Sequence, residues 1–399
     1  MQIKYFNTNF ETINNKVSHD NKIADIISNL PALNIIFNEE ELKKNQKIVK
    51  NFEINKKKII LFGTGGSNLG ARALYNIVNK KKINIEFYDN IDPTIFENSF
   101  NDIDFEATGF LIISKSGNTP ETLAQFSVLY QVALEKNKLN QFLSNILIIT
   151  ETKNSALYSI AKENKCLMLE HNKEIGGRYS IFSNVGIVPA ILCGINVSDL
   201  YLGAKEVINN FDKFSPLSLG KYLCIQQKKI FSSNVLMTYS DNLFYFGKWY
   251  LQLWAESIGK NNKGITAIHS IGTTDQHSQL QLYLNGPKDK FFTFVTTSHS
   301  NRGLKINNDI FNNTEINYFK NKRIGDLMEA EQRATIETFK LNNFSFREIF
   351  IPKIDEKNLG KLLTLSIIET IASCVYSDVN PFDQPAVEQG KILTKKYLK

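Results

Sequence analysis

A glutamate and a histidine within one stretch, Trp249–Gly286, have the side chains needed for acid–base chemistry. The segment predicts an aromatic-rich helix that presents Glu256, followed by a loop that carries His277 into a strand. A carboxylate and an imidazole brought together can act as general base and general acid near neutral pH. The alternative is that Glu256 lies on a solvated helix face and His277 is one of five scattered histidines. Two other polar loops favour the chemical interpretation.

A second candidate segment, Ile113–Thr122, follows a predicted strand and opens a long helix. Backbone N–H groups and the N-terminus of a helix attract anions, and hydroxyl side chains complete such a cradle without adding charge. The segment carries hydroxyls at Ser114, Ser116, Thr119 and Thr122. An elaborate helix cap is the alternative, but a cap needs only one of these hydroxyls. The segment therefore predicts a phosphate site.

A glycine-rich turn, Gly63–Gly70, lies between another predicted strand and helix, where the backbone can approach an anion closely. Ser67 adds a hydroxyl at the start of that helix, although a simple N-cap would also explain it. The turn is similar to a dinucleotide-binding fingerprint, but Asn68 stands where the third glycine is required. Asp89 ends the next strand as a ribose-binding acid would, so this alternative stays open. The Walker pattern of nucleoside triphosphatases is absent.

Two further segments carry groups suited to an anion. Arg178 follows a glycine pair and precedes an apolar helix, and its planar fork of donors suits a carboxylate, a phosphate or an enediolate. A structural salt bridge is the alternative role for this arginine. Near the C-terminus, a proline-led helix would place Gln384 close to its start and Lys391 about two turns later. A lysine in such a position is usually just solvated.

The order of apolar runs and helical patterns predicts an α/β fold. Short apolar runs alternate with helices in two successive units, as in parallel sheets covered by helices on both faces. The second unit includes a predicted helix over 217–232 and a predicted strand, QLYLNG, over 281–286. We expect a helical N-terminal extension at 1–50, subdomains at 51–195 and 196–355, and a C-terminal helical arm at 356–399.

Composition excludes several classes of protein. Hydrophobic residues make up 42% and charged residues 22% of the 399 residues, as in ordinary globular proteins. The net charge of +7 is spread along the chain without a dense basic stripe, so we expect no nucleic-acid partner. The N-terminus does not read as a signal peptide, and the apolar stretches are too short or too interrupted to span a bilayer. These features predict a cytoplasmic protein with no membrane partner, and the lack of CxxC spacing argues against a zinc site.

Taken together, several motifs resemble the glucose-6-phosphate isomerase family in its shorter bacterial-type form. In chain order they are GTGGSNLG, ISKSGNTPET, GGRYS, QLWAESIGK, GTTDQHSQLQ and FDQPAVEQGK. The resemblance covers roughly residues 59–395, and its most specific part runs from WAESIGK to DQHSQLQ. It implies two sugar-isomerase (SIS) subdomains, the reversible isomerisation of glucose 6-phosphate to fructose 6-phosphate, and no metal or organic cofactor.

The resemblance also implies a role for each matching residue. Glu256 matches the base that moves a proton between C2 and C1, and Arg178 matches the arginine that stabilises the cis-enediolate. His277 and Lys391 match the residues that open the sugar ring, and His277 would come from the partner subunit of a homodimer. The expected phosphate-binding residues are Ser67, Ser114, Lys115, Ser116 and Thr119. The expected sugar-binding residues are Gly66, Gln252 and Gln384.

The chain departs from the family pattern at Ala71, where proline is common, and at Ala386, which replaces a glycine. Both are supporting positions, so they bear on rate and stability more than on the type of reaction. Two alternatives stay open: an isomerase of the same architecture acting on mannose 6-phosphate or an amino sugar, and a non-catalytic sugar-phosphate sensor. The sensor would need a nucleic-acid-binding module, and the N-terminal region shows no helix-turn-helix pattern.

Overall fold

The computed structural model describes residues 1–8, 17–100, 102–225, 231–311 and 314–399. Within these ranges the chain forms two five-stranded sheets flanked by helices. The predicted α/β fold with two mainly parallel sheets is therefore confirmed.

The N-terminal region contains one strand ahead of its helices. Its elements are β1 (Gln2–Phe6), α1 (Val17–Ser28), α2 (Pro31–Asn34) and α3 (Glu39–Phe52). β1 pairs antiparallel with a strand near the C-terminus, and Gln2 lies opposite Phe350. The sequence predicts only helices here, because an edge strand with such a distant partner leaves little local signal.

The first sheet is wholly parallel, with strand order β3-β2-β4-β5-β6. Its strands are β2 (Lys58–Phe62), β3 (Asn84–Tyr88), β4 (Thr108–Ile113), β5 (Ile146–Thr150) and β6 (Leu167–Glu170). Its helices are α4 (Leu69–Asn76), α5 (Pro93–Ser99), α6 (Pro120–Glu135), α7 (Leu139–Ser144) and α8 (Ala156–Glu163). Because all strands run in one direction, the loops after β2, β4 and β5 meet at the carboxyl edge of the sheet, where ligands bind in open α/β sheets.

Continuous apolar runs explain why these strands form the interior. Every residue in 59–62 and in 110–113 is fully buried, as expected for strands with helices on both faces. The five strands predicted for this unit are all observed.

The second sheet combines four parallel strands with the antiparallel β1, in the order β1-β10-β9-β7-β8. The strands are β7 (Ser233–Thr238), β8 (Thr266–Ile271), β9 (Lys290–Thr297) and β10 (Phe346–Ile351). The remaining helices are α9 (Asn184–Cys193), α10 (Val197–Asn209), α11 (Phe211–Phe214), α12 (Ser218–Ile225), α13 (Phe244–Ile258), α14 (Thr274–Ser278), α15 (Leu280–Asn285), α16 (Ile324–Leu341), α17 (Glu356–Tyr376) and α18 (Glu388–Tyr397).

Some predictions for this half were wrong. The QLYLNG run predicts a strand, but Leu280–Asn285 forms α15, and His277 lies on the short helix α14 rather than leading into a strand. So short a run cannot separate a helix from a strand by its periodicity. No strand is predicted over Thr266–Ile271, which forms β8. The helix expected over 217–232 is seen over Ser218–Ile225, and 226–230 lie outside the described residues.

The C-terminal segment contains two contrasting helices. α17 packs against α10, α12 and α13 in the core. Among the described residues it is the one helix long and apolar enough to cross a membrane, but 94% of the relevant window is buried inside the molecule. A helix that is apolar all round is typical of a protein core. α18 has no buried residue, and its Ile392 and Tyr397 are exposed.

Candidate active site

A cavity of about 370 Å³ opens at the carboxyl edge of the first sheet. The loops after β2, β4 and β5 form one side, and residues from α13 and the C-terminal segment form the other. The residues predicted for the site that line this cavity are Gly66, Ser67, Lys115, Ser116, Thr119, Arg178, Gln252, Glu256, Gln384 and Lys391. The structure therefore brings together residues from five separate parts of the sequence.

The glycine-rich turn after β2 holds two segments in close contact. At Gly66, an added Cβ would lie 2.2 Å from the carbonyl carbon of Gly177, so only glycine fits there. Gly65 has a φ of +54°, a conformation that favours glycine. The close approach at Gly66 places the turn directly beside Gly177, which precedes Arg178 in a 3₁₀ helix over Gly177–Phe182.

The loop after β4 has an inner and an outer set of hydroxyls. Ser114 is 1% exposed, and its Oγ lies 2.7 Å from Thr119 Oγ1 and accepts the backbone N–H of Gly117. Ser116 and Thr119 line the cavity, next to the N-terminus of α6. Thr122 is fully buried and lies outside the set that lines the cavity. The outer hydroxyls can reach a ligand, whereas Ser114 holds the loop in shape.

The Lys115 ammonium is turned towards the protein backbone. Its Nζ donates hydrogen bonds to the carbonyl oxygens of Lys173, at 2.8 Å, and Ile175, at 3.0 Å. It also lies 3.8 Å from a carboxylate oxygen of Glu151. Burial lowers the pKa of Lys115 from its usual value. Two of its three donors are therefore occupied within the chain.

Arg178 contacts both α13 and the C-terminal segment, which form the second side of the cavity, and it is only 3% exposed. Its Nε donates to Ser257 Oγ at 2.9 Å, and its Nη2 donates to the carbonyl oxygens of Pro381 and Asp383. Its Nη1 lies 3.4 Å from Glu256 Oε2 and donates to Gln384 Oε1 at 3.0 Å. The guanidinium is thus fixed by neutral partners on one side and faces a cavity-lining carboxylate on the other.

Glu256 reaches the cavity from α13. Its Oε1 accepts a hydrogen bond from Gln252 Nε2 at 2.9 Å, because residues four apart lie on the same face of a helix. The side chain of Glu256 is 29% exposed, so a bound ligand can reach it. Its neighbour Ser257 is fully buried and bonds to both Arg178 and Tyr179. One turn of α13 therefore carries the carboxylate and the group that orients the guanidinium.

The segment 380–384 is held against this end of the cavity. Lys260 Nζ donates to the carbonyl oxygen of Asn380 and lies 3.2 Å from the carboxylate of Asp383. The Tyr179 hydroxyl donates to the carbonyl of Pro381 at 3.0 Å, and burial raises the pKa of Tyr179 to about 12, so the hydroxyl keeps its proton. These contacts place Gln384 within hydrogen-bonding distance of Arg178.

The amino-acid sequence matches a known family along nearly the whole chain. The model of the phosphoglucose isomerase family matches residues 40–399. The chain belongs to the phosphoglucose isomerase family. The resemblance inferred from the motifs is thereby confirmed.

Individual relatives agree with membership of the phosphoglucose isomerase family. A probable glucose-6-phosphate isomerase of Methanococcus maripaludis is 32% identical, over 100% of this chain and 94% of that protein. The glucose-6-phosphate isomerase of Campylobacter jejuni is 33% identical, over 92% of this chain and 90% of that protein. A crystal structure of a glucose-6-phosphate isomerase from Chlamydia trachomatis superposes with a TM-score of 0.77 at 21% identity, over 90% of this chain and 73% of that chain. That likeness supports the fold.

Besides Ser114 and Thr122, two more residues named from the sequence do not line the cavity of this phosphoglucose isomerase family member. His277 is exposed on α14 and lies outside the cavity lining within a single chain. Asp89 forms an ion pair with Arg72 at 3.1 Å and also lies outside the lining. The dinucleotide alternative, which needed Asp89 as a ribose-binding acid, therefore loses its support. Within the described residues, no cluster of His, Cys, Asp or Glu could hold a metal ion.

Sequence reasoning missed several residues that line or support the cavity of this phosphoglucose isomerase family member. Glu151 and Lys153 line the cavity from the loop after β5. Ser257 and Lys260 fix Arg178 and the C-terminal segment. The sequence carries a usable signal for the first pair, because a polar loop that follows a predicted parallel strand ends at the same edge as the other two loops.

Proposed function

We propose that this protein interconverts glucose 6-phosphate and fructose 6-phosphate. The observation that carries the proposal is the placement of Glu256 and Arg178, 3.4 Å apart, in the cavity that also holds the loop of Ser116 and Thr119. A base beside a cation, in the same cavity as a candidate phosphate cradle, suits proton transfer next to a carbonyl. Two relatives covering most of the chain carry the names glucose-6-phosphate isomerase and probable glucose-6-phosphate isomerase.

In this proposal Glu256 carries the proton. The open-chain aldose loses its C2 proton to the Glu256 carboxylate, and the same carboxylate returns a proton to C1. The hydroxyl proton on O2 moves to O1 in the same conversion, so that C2 becomes the carbonyl carbon of the ketose. The negative charge that develops on the oxygens of the cis-enediolate faces the Arg178 guanidinium, which is already oriented by Ser257. Gln252 and Gln384 bond to these two groups and are placed to contact the sugar hydroxyls. The chemistry requires neither a metal nor an organic cofactor.

The phosphate of the substrate would bind at the opposite end of the cavity. Ser116, Thr119 and Ser67 supply hydroxyls, and the N-terminus of α6 supplies unpaired backbone N–H groups. Ser114 supports this loop from within. Lys115 contributes its backbone, since its ammonium is bonded to carbonyl oxygens.

Ring opening would use Lys391 from α18 and His277 from a second subunit. Lys391 lines the cavity, and its Nζ lies 2.6 Å from Glu388 Oε1. His277 is exposed and is outside the cavity of its own chain, which is the arrangement expected if a two-fold axis presents it to a neighbour. We therefore propose a homodimer, located in the cytoplasm, where sugar phosphates are metabolised.

The experiment supplies fructose 6-phosphate to the purified protein and follows glucose 6-phosphate with a coupled dehydrogenase. Glu256→Gln should lower turnover by about 10²- to 10⁴-fold, the usual contribution of a general base, and should leave sugar-phosphate binding nearly unchanged. Glu40→Gln is the matched control, because Glu40 is an exposed glutamate on α3, outside the cavity lining.

Three results would overturn this proposal. Wild-type turnover in Glu256→Gln would remove Glu256 from the role of base. Binding of fructose 6-phosphate without turnover by the wild type would favour the sensor, and turnover only of mannose 6-phosphate or an amino sugar would favour the altered-substrate isomerase.

A further inference from the structure

The loop after β5 adds a third charged segment to the phosphate end of the cavity. Glu151 and Lys153 line the cavity together with Lys115, Ser116 and Thr119. The Glu151 side chain is 12% exposed, and its two oxygens face different lysines. Oε1 lies 3.8 Å from Lys115 Nζ, and Oε2 is bonded to Lys153 Nζ. Two lysines thus share one carboxylate, so the trio carries one net positive charge.

This loop is fastened to the proposed phosphate loop by its backbone. The Glu151 N–H donates to the carbonyl of Lys115 at 3.2 Å, and the Ala156 N–H donates to Asn118 Oδ1 at 3.0 Å. Gly117 has a φ of +67°, and an added Cβ there would lie 2.1 Å from Ser155 Oγ. The backbone around Lys153 is therefore held against the loop that carries Ser116 and Thr119.

The two lysines differ in what they can offer an anion. The Lys115 ammonium gives hydrogen bonds to two backbone carbonyls and is partly buried. Lys153 is 54% exposed, and Glu151 is its ion-pair partner. A lysine on a long flexible stem can turn from a carboxylate to a phosphate without breaking the backbone contacts that hold the loop. A carboxylate near a phosphate is tolerated only while cations neutralise it.

We infer that Lys153 is the side-chain cation that binds the substrate phosphate, and that Glu151 is the positioning residue that holds Lys153 at the cavity. The inference rests on the proposed function, which supplies the phosphorylated substrate. It assigns the phosphate end a charged contact that the hydroxyls and the α6 N-terminus do not provide.

The test measures the affinity of inorganic phosphate by isothermal titration calorimetry, together with kcat and KM for fructose 6-phosphate. Lys153→Met should weaken phosphate binding and raise KM by about tenfold, the effect of losing one charge-assisted hydrogen bond, with kcat unchanged. Lys153→Arg should stay within about threefold of the wild type because it keeps the cation. Lys47→Met removes the same charge from an exposed site on α3, outside the cavity lining, and should match the wild type.

A double-mutant cycle tests Glu151. In the Glu151→Gln background, Lys153→Met should change phosphate affinity by less than about threefold, because the lysine is no longer held at the cavity. A full tenfold effect there would remove Glu151 from the positioning role. If Lys153→Met and Lys47→Met bind phosphate equally, or if Lys153→Met lowers kcat with KM unchanged, the inference is wrong. If the wild type shows no turnover but binds phosphate, and Lys153→Met weakens that binding by about tenfold, the proposed function is contradicted while the role of Lys153 is supported.

Discussion

The carboxyl edges of the two sheets are built alike but are used differently. At the first sheet, the loops after β2, β4 and β5 leave hydroxyls and charged groups facing a cavity. At the second sheet, polar groups at the corresponding edge bond to one another. Tyr239 donates from its hydroxyl to Gln276 Oε1, and His299 Nε2 donates to the carbonyl of Tyr239. His269 Nε2 lies 3.1 Å from Thr238 Oγ1.

The difference shows that a parallel sheet provides a place for a site but does not by itself create one. The first edge is open to the cavity, and Gly65, Gly66 and Gly117 allow its loops to pack tightly against Gln252, Gly177 and Ser155. The second edge is closed, and the helix α14 built on it presents His277 to the exterior. We propose that one edge binds the substrate and the other supplies a group to a neighbouring subunit.

The largest effect that distinguishes the two edges should come from mixed dimers. His277→Ala should slow turnover by about 10²-fold, as expected for loss of an acid–base group. A dimer of one Glu256→Gln chain and one His277→Ala chain should regain about half of the wild-type activity, because one of its two sites then has both groups. Refolded mixtures, separated by a tag on one chain, provide the measurement.

The parent homodimers are the controls for that experiment. Mixed dimers with no more activity than the His277→Ala homodimer would place His277 in the site of its own chain, or outside catalysis. Protein that is monomeric at assay concentration and fully active would also contradict the role proposed for the second edge.

Removing one buried hydroxyl at each edge should give smaller effects of two different kinds, on KM at the first edge and on stability at the second. Ser114→Ala removes the bond that shapes the open edge, so KM for fructose 6-phosphate should rise about three- to tenfold. Thr238→Val removes the bond to His269 at the closed edge, so the free energy of unfolding should fall by about 1–3 kcal/mol with KM unchanged. Steady-state kinetics and urea unfolding of both variants make the comparison, and a KM change of similar size in both would erase the distinction.

The smallest effect should be a shared sensitivity to acid. Burial lowers the pKa of His171, near the first edge, and of His269, at the second, each to about 4. The unfolded chain takes up these protons below a pKa of about 6.5, before the folded chain does, so stability falls as pH decreases from about 6.5 towards 4. Each histidine should remove about 1–2 kcal/mol of unfolding free energy by pH ~5.

Urea unfolding at pH ~7.5 and ~5 checks this sensitivity. For each protein, the loss is the fall in unfolding free energy between the higher and the lower pH. This loss should be about 1–2 kcal/mol smaller in His269→Gln, and likewise in His171→Gln, than in the wild type. An undiminished loss in both variants would assign the acid sensitivity to other groups.

The sequence predicted the first sheet better than the second. The three inner strands of the first sheet, β2, β4 and β5, each contain a continuous apolar run, and such runs are visible locally. In the second sheet, β8 is partly exposed and contains His269, and β1 depends on a partner at the other end of the chain. Pairing of distant segments is a property of the whole fold, so local patterns could not show it.

The same distinction applies to the candidate site. Motifs named most residues that line the cavity, including Glu256 and Arg178, which are 78 residues apart in sequence. They could not show that the Lys115 ammonium turns to the carbonyls of Lys173 and Ile175, because that contact depends on how two loops pack. The roles assigned to the individual site residues stay predictions, as does the position of His277 in a partner's site.

The most direct test of Glu256 as the proton carrier is the conversion of fructose 6-phosphate in D₂O, with the product analysed by NMR. A carboxylate that holds the transferred proton exchanges part of it with solvent, so glucose 6-phosphate should carry deuterium at C2 in a fraction of molecules. Glu256→Gln should form almost no product. Rapid wild-type turnover with no deuterium at C2, together with wild-type turnover in Glu256→Gln, would contradict the proposed mechanism.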